Sequence, residues 1–190
     1  MSRSYKVAVL VGSLRKGSTT RKLAQAIIAE APKNLSFNLV EIGDLPLYNE
    51  DLETETPPAA WSRFRRELGE ADAVLFVTPE YNRSVPGGLK NAIDVGSRPY
   101  GQAVFSGKPA AVVTGSPGGI GGFGANHHLR QSLVFLDMPM MAQPEAYIGG
   151  LWGMLDDEGR ITNDDTRAFL RNIAESFAAW IARTAVDRQD

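Results

Sequence analysis

The chain has 190 residues, 43% hydrophobic and 22% charged, with 20 basic side chains against 22 acidic ones and a formal net charge of -2. That balance excludes disordered and fibrous classes and gives no charge signal for a nucleic-acid or membrane surface. The chain has no cysteine, which excludes disulfides, thiol nucleophiles and cysteine-held metals.

The length fits one domain over residues 1–190. No apolar stretch approaches the ~20 residues of a membrane span. Met1–Lys6 runs almost at once into the first apolar segment, leaving no room for a secretory signal. A cytoplasmic location is the expectation.

Val7–Val11 is the first predicted strand, and it runs directly into Gly12-Ser13-Leu14-Arg15-Lys16-Gly17-Ser18-Thr19-Thr20. Two glycines allow close backbone approach, the following helix start offers unpaired N–H groups, and Ser13, Ser18, Thr19 and Thr20 add hydroxyls beside the Arg15 guanidinium. The pattern suits a terminal phosphate; it also suits a Ser/Thr-rich helix cap. It is not a Walker loop, because Ser18 rather than Lys follows Gly17. It is not a dinucleotide fingerprint either, because Leu14 stands where the second glycine belongs.

Further along, Leu23, Ala24, Ile27, Ile28 and Ala31 share a helical face that Pro32 closes. Phe37, Leu39 and Val40–Ile42 predict a second strand. A long loop, Gly43–Thr56, precedes a helix beginning at Pro57-Pro58 that buries Trp61, Phe64 and Leu68. Ala73–Val77 is a third strand, apolar throughout as expected when both sheet faces are covered. Pro86–Gly96 reads as a short helix with Leu89, Ala92 and Ile93 inward, and Pro109–Val113 as a fourth strand. Asn126–Leu136 carries Leu129, Leu133, Val134 and Leu136 at helical spacing. Met138–Ala142 is the expected fifth strand, interrupted by Pro139. After an irregular stretch, Glu145–Thr162, a capping cluster at Thr162–Asp165 opens a last helix with the stripe Phe169, Leu170, Ile173, Phe177, Trp180 and Ile181.

Strand and helix alternating five times imply an α/β fold: a three-layer, flavodoxin-like arrangement with a five-stranded parallel sheet in the order 2-1-3-4-5. Ligands in such sheets bind beyond the carboxyl ends of the strands, where the order reverses. The loop after the third strand, Thr78-Pro79-Glu80-Tyr81-Asn82-Arg83-Ser84-Val85-Pro86-Gly87-Gly88, should therefore border the same crevice as the first. Taken alone it reads equally as a polar strand-to-helix turn.

The two segments together, Gly12-Ser13-x-Arg15-x-x-Ser18 and Pro79-Glu80-Tyr81-Asn82-x-Ser84-x-Pro86-Gly87-x-Leu89-Lys90-Asn91-Ala92-Ile93-Asp94, resemble the NADPH-dependent FMN reductase family. The likeness is greatest to its branch of bacterial quinone, chromate and azobenzene reductases, and it spans nearly the whole chain. The resemblance implies that Ser13, Arg15 and Ser18 hold the FMN phosphate, with Thr20 a further polar contact. It also implies that Pro79, Glu80, Tyr81 and Asn82 line the isoalloxazine ring, and that Ser116 and Gly119 approach it from the fourth loop. NADPH or NADH would deliver hydride, leave, and be replaced by a small acceptor such as a quinone, azo or nitro compound, or chromate. A homodimer or tetramer is implied, with a partner subunit bordering the flavin pocket. A flavodoxin-type electron carrier that serves protein partners is the alternative.

Five other features attract attention. Gly119, Gly121 and Gly124 satisfy G-x-G-x-x-G, but Ser116-Pro117-Gly118 separates them from the strand, so they are expected to give room for nicotinamide or acceptor rather than to form a fingerprint. His127 and His128 point about 100° apart on a helix and make a poor metal pair. Asp156-Asp157-Glu158-Gly159 lacks calcium-loop spacing and reads as a solvated turn. Trp152 and Met154 read as core or subunit-contact residues with no evident chemistry. Leu45, Leu47 and Tyr48 lie in the long loop and need a cover, from their own domain or a neighbouring subunit.

Overall fold

Five parallel strands hydrogen-bond in the order β2-β1-β3-β4-β5 in a computed structural model that describes residues 3–185. They are β1 (Tyr5–Val11), β2 (Leu35–Leu39), β3 (Ala73–Thr78), β4 (Ala110–Gly115) and β5 (Ala146–Ile148). The helices are α1 (Thr19–Ala29), α2 (Ala59–Gly69), α3 (Gly87–Gly96), α4 (Phe123–Phe135) and α5 (Asp164–Thr184). The flavodoxin-like order expected from the alternation is the observed one. No helix among the described residues is long and apolar enough to cross a membrane.

The period of two along each strand divides the core. Val7, Val9 and Val11 of β1, with Leu75, Val77 and Val113, pack under α1 and α5. Ala8 and Leu10, with Val74, Phe76 and Val112, pack under α2, α3 and α4. Every residue of β3 and β4 is buried, as central strands covered on both faces require. In α2, Trp61, Phe64 and Leu68 form the single buried stripe, each contributing about 1.5–3 kcal/mol by leaving water.

Helix α5 begins at Asn163, whose side chain accepts from the Thr166 N–H at 2.8 Å, a cap worth about 1 kcal/mol. Asp164 and Asp165 in its first turn and Arg183 in its last complement the helix dipole. Glu30, at the end of α1, ties the two helices of this layer together: Arg167 Nη1 donates to one carboxylate oxygen at 2.5 Å and Arg171 Nη2 to the other at 2.7 Å. The Arg171 hydrogen bond is the main cause of a Glu30 pKa below its ordinary value. A carboxylate depressed in this way stabilises the fold above its unfolded pKa, and the contribution is lost as pH falls through the folded one. Melting temperature is therefore expected to drop on acidification below the ordinary carboxylate range. Glu30→Gln should lower it at neutral pH and flatten the acid limb; an unchanged profile in scanning calorimetry would contradict this assignment.

Three expectations need correction. The second strand spans Leu35–Leu39 and stops before Val40 and Ile42, which are buried instead in the core beneath α2. In α4 the inward residues are Ala125, Asn126, Leu129 and Leu133; Val134, one step further round the helix, is exposed. The fifth strand is Ala146–Ile148, not Met138–Ala142. Met140 makes only an isolated bridge to Ala110. Pro139 and Pro144 lack the N–H groups a continuous ladder needs, so the chain touches β4 twice with an irregular segment between.

Polar side chains satisfy the carbonyls at that irregular edge. Asn126, fully buried, donates from Nδ2 to the Val112 and Ala146 carbonyls, at 3.4 Å each. Its own Oδ1 accepts from Arg130 Nε at 2.8 Å, and Arg130 Nη1 reaches the Met141 carbonyl at 2.9 Å. Burial pulls the Arg130 guanidinium below its ordinary pKa.

Candidate functional site

The loops after β1, β3 and β4 leave the same edge of the sheet, with β1 at the point where strand order reverses. They enclose a recess of about 170 Å³ lined by Ser13, Arg15, Ser18, Thr19, Thr20, Pro79, Glu80, Tyr81, Gly115, Ser116, Pro117, Leu151 and Trp152. A neighbouring recess of about 300 Å³ shares Arg15 and Tyr81 and is bounded by Gly12, Leu14, Pro86, Gly87 and Gly88.

The first loop is held by its own ends. Gly12 donates its N–H to the Val77 carbonyl at 2.9 Å. A Cβ there would stand 2.0 Å from Thr78 Oγ1, so glycine serves the packing of β1 against β3 rather than the approach of an anion. At the other end Ser18 caps α1, its hydroxyl accepting from the Arg21 N–H at 3.1 Å and lying 3.1 Å from Thr20 Oγ1. Between these anchors, the N–H groups of Ser13 to Gly17, and those of Thr19 and Thr20, donate to no atom among the described residues. Ser13 is 5% exposed with no side-chain hydrogen bond in the described chain. Arg15 has no carboxylate partner there either.

The second loop turns sharply. Tyr81 and Ser84 exchange backbone hydrogen bonds of 3.0 and 2.9 Å. The two residues between them, Asn82 and Arg83, have φ of 50° and 63°, a conformation that costs a non-glycine residue roughly 1–2 kcal/mol. Glu80 stiffens the turn. Its side chain points to α4, where Oε2 accepts the Ala125 N–H at 3.0 Å, and Oε1 receives Arg83 Nη1 at 3.3 Å. A carboxylate at a helix N-terminus is favourably placed, and this one joins the second loop to the fourth strand's helix.

In the third loop Ser116 holds both neighbours. Its N–H donates to the Ile148 carbonyl at 3.0 Å, its carbonyl accepts from Leu151 at 3.3 Å, and its hydroxyl accepts from Gly118 at 3.1 Å. Of the glycines beyond, a Cβ on Gly119 would meet nothing, but Gly121 and Gly124 are closed in by backbone. A Cβ on Gly121, where φ is 67°, would lie 2.4 Å from the Tyr147 backbone, and one on Gly124 would lie 2.6 Å from the Arg83 carbonyl. Gly121 and Gly124 admit the protein's own backbone. Close by, Tyr147 donates its hydroxyl to Glu145, and that hydrogen bond, with burial, raises the Tyr147 pKa.

Eight of the ten residues expected to contact cofactor line the first recess: Ser13, Arg15, Ser18, Thr20, Pro79, Glu80, Tyr81 and Ser116. Asn82 and Gly119 do not. Asn82 is spent on the left-handed turn position, and the Gly119 carbonyl packs where a Cβ of Gly149 would stand. His127 lies with its ring centroid 4.1 Å from that of Phe123, while His128 Nδ1 is 3.0 Å from Ser84 Oγ. Sequence reasoning missed Leu151 and Trp152. They follow β5, whose displacement hid the fact that a fourth strand-end segment reaches the crevice.

The donor set fits a flavin phosphate: unpaired backbone N–H groups at a helix start, a Ser13 hydroxyl left open to the recess and an uncommitted guanidinium. The comparisons agree. Residues 5–153 match the model of the NADPH-dependent FMN reductase family. The chain belongs to that family. A quinone reductase of Pseudomonas putida is 66% identical over 181 residues, covering 95% of this chain and 97% of its own. A 2-hydroxy-1,4-benzoquinone reductase of Burkholderia is 46% identical over 178 residues, 94% of this chain and 97% of its own. Among solved structures, a flavoenzyme NAD(P)H:(acceptor) oxidoreductase from Paracoccus denitrificans superposes with a TM-score of 0.89 at 43% identity, covering 96% of this chain and 100% of that one. As a family member, the chain uses FMN and NAD(P)H.

Proposed function

We propose that the chain is an FMN-dependent NAD(P)H oxidoreductase that passes electrons to quinones, working as one FMN-binding domain over residues 1–190 in the cytoplasm. The observation that carries this reading is the run of unpaired N–H donors from Ser13 to Gly17 beside buried Ser13 and uncommitted Arg15. When bound, FMN supplies the redox chemistry, accepting hydride from the nicotinamide and reducing the acceptor. The chain supplies binding and orientation. Ser13, Ser18, Thr20 and the helix start donate to the phosphate, and Arg15 neutralises it. Pro79, Tyr81 and Ser116 border the ring, with Asn82 and Gly119 shaping the loops that carry them. Glu80 fixes the second loop through α4. No proton-transfer side chain is required, so azo and nitro aromatics and chromate belong to the same acceptor class. An electron-carrier role is not favoured in a family of named reductases.

Donor and acceptor share one recess and bind in turn. Oxidation of NADH and NADPH by the FMN-loaded chain should therefore accelerate on adding a benzoquinone, with parallel double-reciprocal lines in steady-state kinetics. Intersecting lines would overturn the shared recess. A chain that takes up no FMN would overturn the whole reading.

The chain is further proposed to work as a homodimer or tetramer. Of the long-loop residues, Leu45 is buried and Tyr48 stacks on Trp61 at 5.3 Å, so their own domain covers them, while Leu47 is 79% exposed. A groove of about 660 Å³ runs between α3 and α4, with exposed Phe135 on its wall. Leu47→Asp combined with Phe135→Asp should lower the mass found by light scattering. A wild-type chain that is a fully active monomer at assay concentration would defeat the proposal.

A further inference from the structure

We infer that Trp152 is a flavin-contacting residue that closes the recess from the α1/α5 layer, an inference that rests on the FMN reading above. Trp152 lines the recess, yet it is 70% exposed. An indole that large, on a recess wall with little of its surface covered, presents apolar area for a flat ligand. Its backbone is not free to swing. Leu151, buried in the α1/α5 core, anchors the preceding residue, and its N–H donates to the Ser116 carbonyl at 3.3 Å. Gly153 donates to the Gly150 carbonyl at 2.9 Å, and Thr162 Oγ1 donates to the carbonyls of Gly153 and Met154 at 3.0 and 3.1 Å.

The other exposed aromatic on the lining is Tyr81, 48% exposed, and it arrives from the opposite layer, on the turn that leads into α3. The sheet edge thus carries one aromatic from each side of the fold, on the turns that follow β3 and β5, and the hydroxyl and N–H donors of the first loop, which follows β1 beside β3, line the same recess. A phosphate alone needs neither ring. A ligand with a phosphate at one end and a planar aromatic at the other uses both.

The chain's three tryptophans make this directly measurable. Trp61 is fully buried under the sheet, and Trp180 lies on α5 with its Nε1 donating to the Pro139 carbonyl. Neither lines the recess. FMN is titrated into the full chain as wild type, Trp152→Phe and Trp152→Ala, following tryptophan emission and flavin fluorescence, with mass checked by light scattering. Binding should quench wild-type emission strongly and the emission of both variants much less. The Kd for FMN should rise roughly tenfold in Trp152→Ala and by less than about threefold in Trp152→Phe, which keeps a ring. If wild type binds FMN while Trp152→Ala binds as tightly with equal quenching, the assignment fails and the FMN reading stands. Unchanged affinity with altered mass would also overturn it, placing Trp152 at a subunit contact. Failure of wild type to bind FMN would remove both.

Discussion

FMN affinity is expected to fall by roughly two to four orders of magnitude when Ser13 and Arg15 are both replaced by alanine. Each residue offers the phosphate a charge-assisted hydrogen bond worth about 1.5–3 kcal/mol, and every 1.4 kcal/mol or so is a factor of ten. Neither side chain has another task to lose. Arg15 is exposed, and the Ser13 hydroxyl has no partner among the described residues. The double variant should therefore keep its melting temperature and far-ultraviolet circular dichroism while losing flavin on equilibrium dialysis. Single variants should each show part of the effect. Unchanged affinity would move the phosphate out of the first recess, and the adjoining one bounded by Gly87 and Gly88 would become the next to test.

The largest stability effect is expected at Trp61. Its ring is fully buried, its Nε1 donates to the Pro46 carbonyl at 3.0 Å, and Tyr48 stacks on it. Asn91 completes the anchor by donating to the Leu45 and Pro46 carbonyls and accepting from the Tyr48 N–H at 2.8 Å. Trp61→Ala leaves a cavity beneath α2 and frees the long loop, costing about 3–5 kcal/mol. For a chain of this size that is a drop in melting temperature of roughly 10 °C or more. Trp61→Phe keeps most of the packing and loses the hydrogen bond, so about 1 kcal/mol is expected. Denaturant titration separates the two variants; equal losses would mean that the loop anchor, not the buried ring, dominates.

Much of this was legible in the sequence, and for a physical reason. The buried stripe of α2 is set by helical period, and the apolar runs of β1, β3 and β4 are marked as strands by their short length, their β-branched residues and the turn residues that bound them. The first loop was legible because the strand ends where its small and hydroxyl residues begin. The fifth strand was not. Its seam with β4 is completed by Asn126 and Arg130, which take up the carbonyls of Ala146 and Met141 from positions twenty and eleven residues earlier, and no local pattern announces such a bond. Misplacing β5 hid Trp152 in turn, because only a strand ending at Ile148 delivers the following turn to the crevice. The glycines at 121 and 124 misled in the other direction. Their spacing matched a nucleotide loop, whereas the space they free is filled by the Tyr147 backbone and the Arg83 carbonyl.

The broken fifth strand also bears on how the molecule behaves when crowded. A sheet edge exposes unpaired N–H and C=O groups that another chain can join, and natural proteins blunt such edges with short strands, prolines and covering side chains. Here the edge strand is three residues long. Pro139 and Pro144 precede it without N–H groups to offer. The irregularity that obscures the strand in the sequence deprives a neighbouring molecule of a template, guarding that side of the sheet against amyloid-like stacking.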